Sequence, residues 1–143
     1  MEMRLRCMEI ALGEYGNIEV AGADSNPEVM KYFHETGREW VDNDSTPWCD
    51  AFADWVVMKA GSHPSPGLLA RAWLDIGEVI LEPEAGDLAI FWRVSPSSIY
   101  GHVGFFVRKT DEHVWVLGGN QSDMVKIAPY SVDRVLGYRR IHL

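Results

Sequence analysis

The stretch Gly101-His102-Val103-Gly104-Phe105-Phe106-Val107, the polar Lys109-Thr110-Asp111-Glu112 and the run His113-Val114-Trp115-Val116-Leu117-Gly118-Gly119-Asn120 together decide the fold. Two segments rich in β-branched and aromatic residues flank a short polar turn, which is the pattern of a β-hairpin. Pairing around that turn sets Phe106 near Trp115 or Val116 and carries His102 to about Asn120. Further strands are expected at Leu88–Trp92 before the hairpin, and at Val125–Ala128 and Leu136–Ile141 after it. The turn Pro83-Glu84-Ala85-Gly86-Asp87 precedes the first of these.

Upstream of Gly77 the period changes from two to that of a helix. Leu5, Met8, Leu12 and Tyr15 fall at helical spacing and Gly16 is a stop. Pro27 opens a second helix from Asn26 to about His34, ended by Gly37. Thr46 reads as an N-cap with Pro47 at the first helical position, and that helix runs to Ala60. A fourth helix is expected over Leu68–Ile76, with Gly77 as its C-cap. Helices first and an antiparallel meander afterwards define an α+β fold, with N-terminal helices on a sheet of about five strands. No internal repeat, low-complexity tract or linker interrupts the chain, so residues 1–143 are read as one domain.

The composition is globular, with 47% hydrophobic and 24% charged residues. A formal net charge of −8, with no basic run longer than Arg139-Arg140, argues against nucleic-acid or anionic-membrane binding. No apolar run is long enough for a membrane span, and the N-terminal residues do not read as a secretory signal. The two cysteines, Cys7 and Cys49, make neither a disulfide framework nor a zinc motif, which suits synthesis in a reducing compartment. Cys7 lies beside the apolar stripe of the first helix and reads as a small buried hydrophobe.

Cys49 is different. Counted from Thr46 it is the third residue of its helix, where exposed N–H groups and the helix dipole favour a thiolate. Phe52, Ala53 and Val56 turn that side of the helix toward the sheet. Among five histidines, His102 opens a strand between glycines, and the small Gly104 on its face leaves room for a closely packed helix. Asn120, across the hairpin, is within reach of the imidazole. Together they give a thiol, a base and an orienter, the set needed for nucleophilic hydrolysis.

The segments Thr46-Pro47-Trp48-Cys49-Asp50-Ala51-Phe52, Pro83-Glu84-Ala85-Gly86-Asp87-Leu88, Gly101-His102-Val103-Gly104-Phe105-Phe106 and Gly118-Gly119-Asn120-Gln121-Ser122-Asp123 resemble the NlpC/P60 and CHAP superfamily. The likeness is nearest to a small bacterial and phage subgroup and extends from Ala11 to Arg140. It implies a papain-like fold and cleavage of an amide bond in peptidoglycan, with Cys49 as nucleophile, His102 as base and Asn120 as the polar third member. Asp50 departs from the small apolar residues more usual in the subgroup. Asn43, Ser45 and Trp48 are alternative side-chain donors to the oxyanion, and Trp48 is also a candidate wall of the substrate groove.

Some CHAP domains bind calcium before the nucleophile, and Asp42-Asn43-Asp44-Ser45 is acidic. The distal Glu of a calcium loop is missing, so a solvated loop is expected, with no metal and no cofactor. The expected partner is bacterial peptidoglycan, reached after synthesis in the cytoplasm by phage lysis, a tail or a secretion machinery. An immunity or delivery protein is a second expected partner, and the chain is read as a monomer. The acidic charge tilts the target toward Gram-negative walls. Alternative readings are a phage tail or baseplate component retaining the fold, and a cysteine hydrolase of a non-wall amide.

Overall fold

The computed structural model describes residues 2–19, 25–41, 48–63 and 69–142. Helices α1 (Met3–Leu12), α2 (Pro27–His34) and α3 (Cys49–Lys59) and a 3-10 helix (Ala70–Asp75) come first. Strands β1 (Glu78–Ile80), β2 (Leu88–Trp92), β3 (Gly101–Lys109), β4 (His113–Gln121), β5 (Met124–Ser131) and β6 (Val135–Arg140) follow. The sheet runs β1-β6-β2-β3-β4-β5 with antiparallel neighbours throughout. The α+β reading holds, with six strands in place of about five. The added strand, β1, is only three residues long and pairs Val79 with Arg139.

The α2 start is as the sequence implies: Glu28 N–H donates to Asn26 Oδ1 (2.9 Å) and Pro27 stands in the first turn. In α3 the first helical residue is Cys49 and Trp48 occupies the N-cap, so Cys49 is the first residue of the helix and not the third. Thr46 and Pro47 lie outside the described residues, as does Leu68. The expected fourth helix is a 3-10 helix from Ala70 to Asp75.

The sheet buries both faces. Leu88, Ile90, Val103, Phe105 and Leu117 pack with α1, α2 and α3 in the larger core, where Cys7 is buried as expected. Within it Tyr32 stacks on Trp48 (5.8 Å) and meets Phe52 and Trp55 edge-on at 5.1 and 5.3 Å. Ala89, Phe91, Phe106, Val114 and Val116 form a second core on the other face, against Tyr130 and Tyr138. The helices therefore cover the Val103/Phe105 face of β3, not the face of Gly104 and Phe106. The close helix approach expected at Gly104 falls elsewhere, since a Cβ at Gly104 would meet the neighbouring Val116 side chain at 2.8 Å.

That approach is at Gly119. A Cβ there would lie 2.6 Å from Phe52 Cβ and 2.9 Å from two indole carbons of Trp48, at the start of α3. Beneath the helix, Arg38 pairs with the fully buried Asp54 and lies 3.5 Å from Asp50, whose Oδ1 accepts the Trp73 indole N–H at 2.8 Å. This network accounts for a charged residue next to Cys49: Asp50 is held by Arg38 from before α3 and by Trp73 from the 3-10 helix after it. Because both contacts at Gly119 are stem and ring atoms inside a packed core, Gly119→Ala is expected to cost about 1–3 kcal/mol. Urea denaturation of the variant measures this; an unchanged midpoint would show that α3 does not rest on Gly119.

Candidate active site

Cys49 enters the core from the N-terminus of α3 and is 6% exposed. The backbone N–H groups of Val103 and Asp50 favour its thiolate, as does the positive charge of Arg93. Burial and the adjacent Asp50 carboxylate oppose them, and the thiol is pushed up to about 11. A helix terminus contributes up to ~2 kcal/mol, whereas full burial can move a titratable group by about 3–5 pKa units. Burial wins, and the low thiol pKa expected from helix position is not what the structure gives. Cys7, buried without a catalytic partner, is pushed up to about 12 for the same first reason.

His102 is the second residue of β3 and 4% exposed. Its ring lies against Tyr130 with centroids 4.9 Å apart, and Tyr130 in turn stacks on Phe91 at 4.9 Å. Burial pushes the imidazole down to about 4, and the charges of Arg93 and Arg134 add to that. At neutral pH the site therefore holds a neutral thiol and a neutral imidazole. The thiol sits against the backbone of Val103, one residue from His102, and its charge is felt by Tyr130.

The imidazole is oriented by Gln121. His102 Nε2 lies 2.8 Å from Gln121 Oε1, with the Tyr130 hydroxyl at 3.1 Å. Gln121 Nε2 donates to the carbonyls of Lys126 (2.6 Å) and Val116 (3.3 Å), so the carboxamide cannot turn over. An oxygen fixed toward Nε2 requires a proton on that nitrogen, which leaves the Nδ1 lone pair free in the neutral ring.

The sequence places Asn120 in this role, and the register comes close. Phe105 pairs with Leu117 and Phe106 with Val116, which extrapolates to His102 opposite Asn120. Beyond Gly118, however, β4 carries one residue more than β5: Gly118 faces Lys126 while Gln121 faces Met124. This bulge puts Asn120 at φ +58° and swings Gln121 beneath the imidazole. A Cβ at Gly118 would sit 2.8 Å from Gln121 Oε1, so glycine is what makes space for the carboxamide. A Gly pair inside a strand, followed by polar residues, is the signal that points to such a bulge.

Trp48 is fully buried, and its indole N–H donates to Glu19 Oε1 at 3.0 Å. It is therefore a core residue, neither a groove wall nor a free oxyanion donor. Asn43, Ser45 and the acidic loop 42–45 lie outside the described residues. Among the described residues no group of three His, Cys, Asp or Glu is placed to hold a metal ion, and no helix is long and apolar enough to cross a membrane. A cleft of about 270 Å³ opens beside His102, with Arg93, Asn120, Gln121, Tyr130 and Arg134 among its lining.

The CHAP domain family matches residues 6–120, and the chain belongs to that family, whose domains are generally cysteine amidases and peptidases of the peptidoglycan-hydrolase kind. A solved structure described as similar to an NLP/P60-family lipoprotein, from Staphylococcus aureus subsp. aureus Mu50, superposes with a TM-score of 0.57 at 23% identity over 99% of this chain. This chain spans 42% of that protein's length, and the likeness is one of fold. No curated protein matches the chain.

Two outcomes follow from the geometry. Imidazole 15N NMR should show His102 as a single Nε2–H tautomer, and Gln121→Ala should mix the tautomers while Asn120→Ala leaves them unchanged. Equal spectra for both variants would remove Gln121 as orienter. The folded pKa of His102 lies below its ordinary 6.5, so the unfolded chain takes up a proton that the fold refuses. That stability is lost as pH falls from about 6.5 to about 4. Thermal melts should therefore show His102→Gln losing less Tm than wild type across this window; parallel losses would mean that the ring is not desolvated.

Proposed function

We propose that the chain is a peptidoglycan amidase or endopeptidase with Cys49 as nucleophile, His102 as general base and then acid, and Gln121 as the positioning residue. One observation supports this above the others: the carboxamide of Gln121, anchored on two backbone carbonyls, fixes a proton on Nε2 and leaves Nδ1 as base. In the reaction His102 takes the thiol proton as sulfur attacks the carbonyl. The same proton then goes to the leaving amine as the C–N bond breaks, and a water deprotonated by His102 releases the acyl group from sulfur. The N–H groups in the first turn of α3 face the tetrahedral oxyanion.

Because the free thiol and imidazole are both neutral, the thiol proton moves to His102 as sulfur attacks the carbonyl, without a standing ion pair in the free protein. The biological setting that suits this chemistry is a phage lysin or a wall-degrading effector delivered from the cytoplasm.

Purified sacculi incubated with the protein, with fragments weighed by mass spectrometry, test the reading. Wild type should release peptide fragments from one cleaved amide, Cys49→Ala should release none, and Gln121→Ala should slow turnover on the order of 100-fold through misplacement of the base. Cleavage by Cys49→Ala within tenfold of wild type, or intact sacculi from Gram-negative and Gram-positive walls alike, would overturn it.

A further inference from the structure

We propose that the cleft beside His102 is a carboxylate subsite on the leaving-amine side of the scissile bond, with Arg93 and Arg134 as the carboxylate's partners. The proposal rests on the hydrolase reading above and names its substrate class: an amide whose leaving amine carries a free carboxylate, as the last residue of a peptide does.

The charge of the cleft is the first argument. The chain carries a net −8, yet among the described residues this cleft is lined by two arginines and no Asp or Glu. Arg4 pairs with Glu2 and Glu84, Arg38 with Asp54 and Arg140 with Asp87, while Arg6, Arg71 and Arg139 spend their guanidinium N–H groups on backbone carbonyls. Arg93 and Arg134 form no ion pair among the described residues. Two cations left unpaired beside a catalytic imidazole lower its basicity, a cost that an anionic ligand would reverse.

Their placement is the second argument. Arg134 Nε donates to Trp92 O (3.2 Å) and the guanidinium lies over the Trp92 ring at 5.0 Å, with the remaining N–H groups free among the described residues. Arg93 begins the loop to Tyr100, and its N–H donates to Tyr100 O at 3.1 Å. Arg71 fastens this loop from the 3-10 helix, donating to the carbonyls of Tyr100, Pro96 and Ser95 at 2.8 to 2.9 Å. The next residue, Val94, is held at φ +70°, a conformation that a β-branched side chain adopts only when its surroundings impose it. The segment that presents Arg93 is thus fixed before any ligand arrives.

Direction is the third argument. His102 delivers its proton to the leaving amine, so a cleft that His102 itself lines is placed to hold the leaving portion. Two guanidiniums there match a carboxylate by charge-assisted, forked hydrogen bonds.

The test uses matched N-acyl dipeptides with a free or an amidated C-terminus, with wild type, Arg93→Gln, Arg134→Gln and the double variant. Wild type should show a kcat/KM roughly 10- to 100-fold higher for the free carboxylate. The double variant should bring that value down to the amidated level, mainly through KM. Equal kcat/KM for the two peptides in wild type, or a preference that survives in the double variant, would overturn the subsite while leaving the hydrolase reading intact. A second measurement is independent of turnover: in Cys49→Ala, 15N NMR of the arginine Nε signals should respond to the free-carboxylate peptide and not to the amidated one. If those signals respond and wild type cleaves no amide, the subsite stands and the hydrolase reading falls; if neither signal moves, the subsite falls.

Discussion

The start of α3 rests directly on the backbone of β4, and the site depends on that contact more than on any other. The space between them is closed by Phe52 and Trp48, with nothing left for a side chain at Gly119. The neighbouring Gly118 leaves its space to the Gln121 carboxamide. Two consecutive glycines thus serve opposite faces of one strand: one admits the helix that carries Cys49, the other admits the amide that orients His102. The bulge beyond them converts this into a functional register, because an even β4 would point Asn120 at the imidazole and turn Gln121 away.

A second constraint is electrostatic. Burying the Cys49 thiol and the His102 imidazole in a packed structure removes both from water, and desolvation penalises the charged form of each. The thiol rises, the imidazole falls, and the pair rests neutral. The carboxylate of Asp50, next to Cys49, would make matters worse if its charge were uncompensated. Arg38 and the Trp73 indole take up part of that charge, and they tie α3 to the chain before and after it. Breaking such a buried network leaves an unpaired charge, which costs more than the network contributes net when intact.

Much of this was legible in the residues themselves. Alternation and a polar turn disclose the β3–β4 hairpin, and a histidine between glycines at a strand start stands apart from the surface histidines. The α2 start is legible because Asn-Pro has one local meaning. What escapes is whatever depends on a third element. Gln121 was hidden by a one-residue bulge, which shifts a side chain to the other face without changing hydrophobic pattern. Trp48 stands beside Cys49 in sequence, but adjacency says nothing about direction, and its ring points into the Tyr32 cluster. The rank of Cys49 in its helix suggested a low thiol pKa, whereas burial, which sequence rank does not reveal, sets the opposite sign. Strand β1 is three residues with no alternation long enough to read.

The placement of the two arginines bears on the proton transfer itself. The field of Arg93 reaches both Cys49 and His102: it lowers the thiol and lowers the imidazole. Moving a proton from sulfur to nitrogen creates a negative charge at one and a positive charge at the other, so a cation acting equally on both leaves the transfer unchanged. Arg134 presses on His102 and on the Tyr130 hydroxyl beside it, at the imidazole end of the pair. A carboxylate between the two guanidiniums would therefore relieve the imidazole at the end where Arg134 adds its charge, and ease protonation of His102. In such a site the anion that identifies the substrate also readies the base, and binding and proton transfer draw on the same pair of charges.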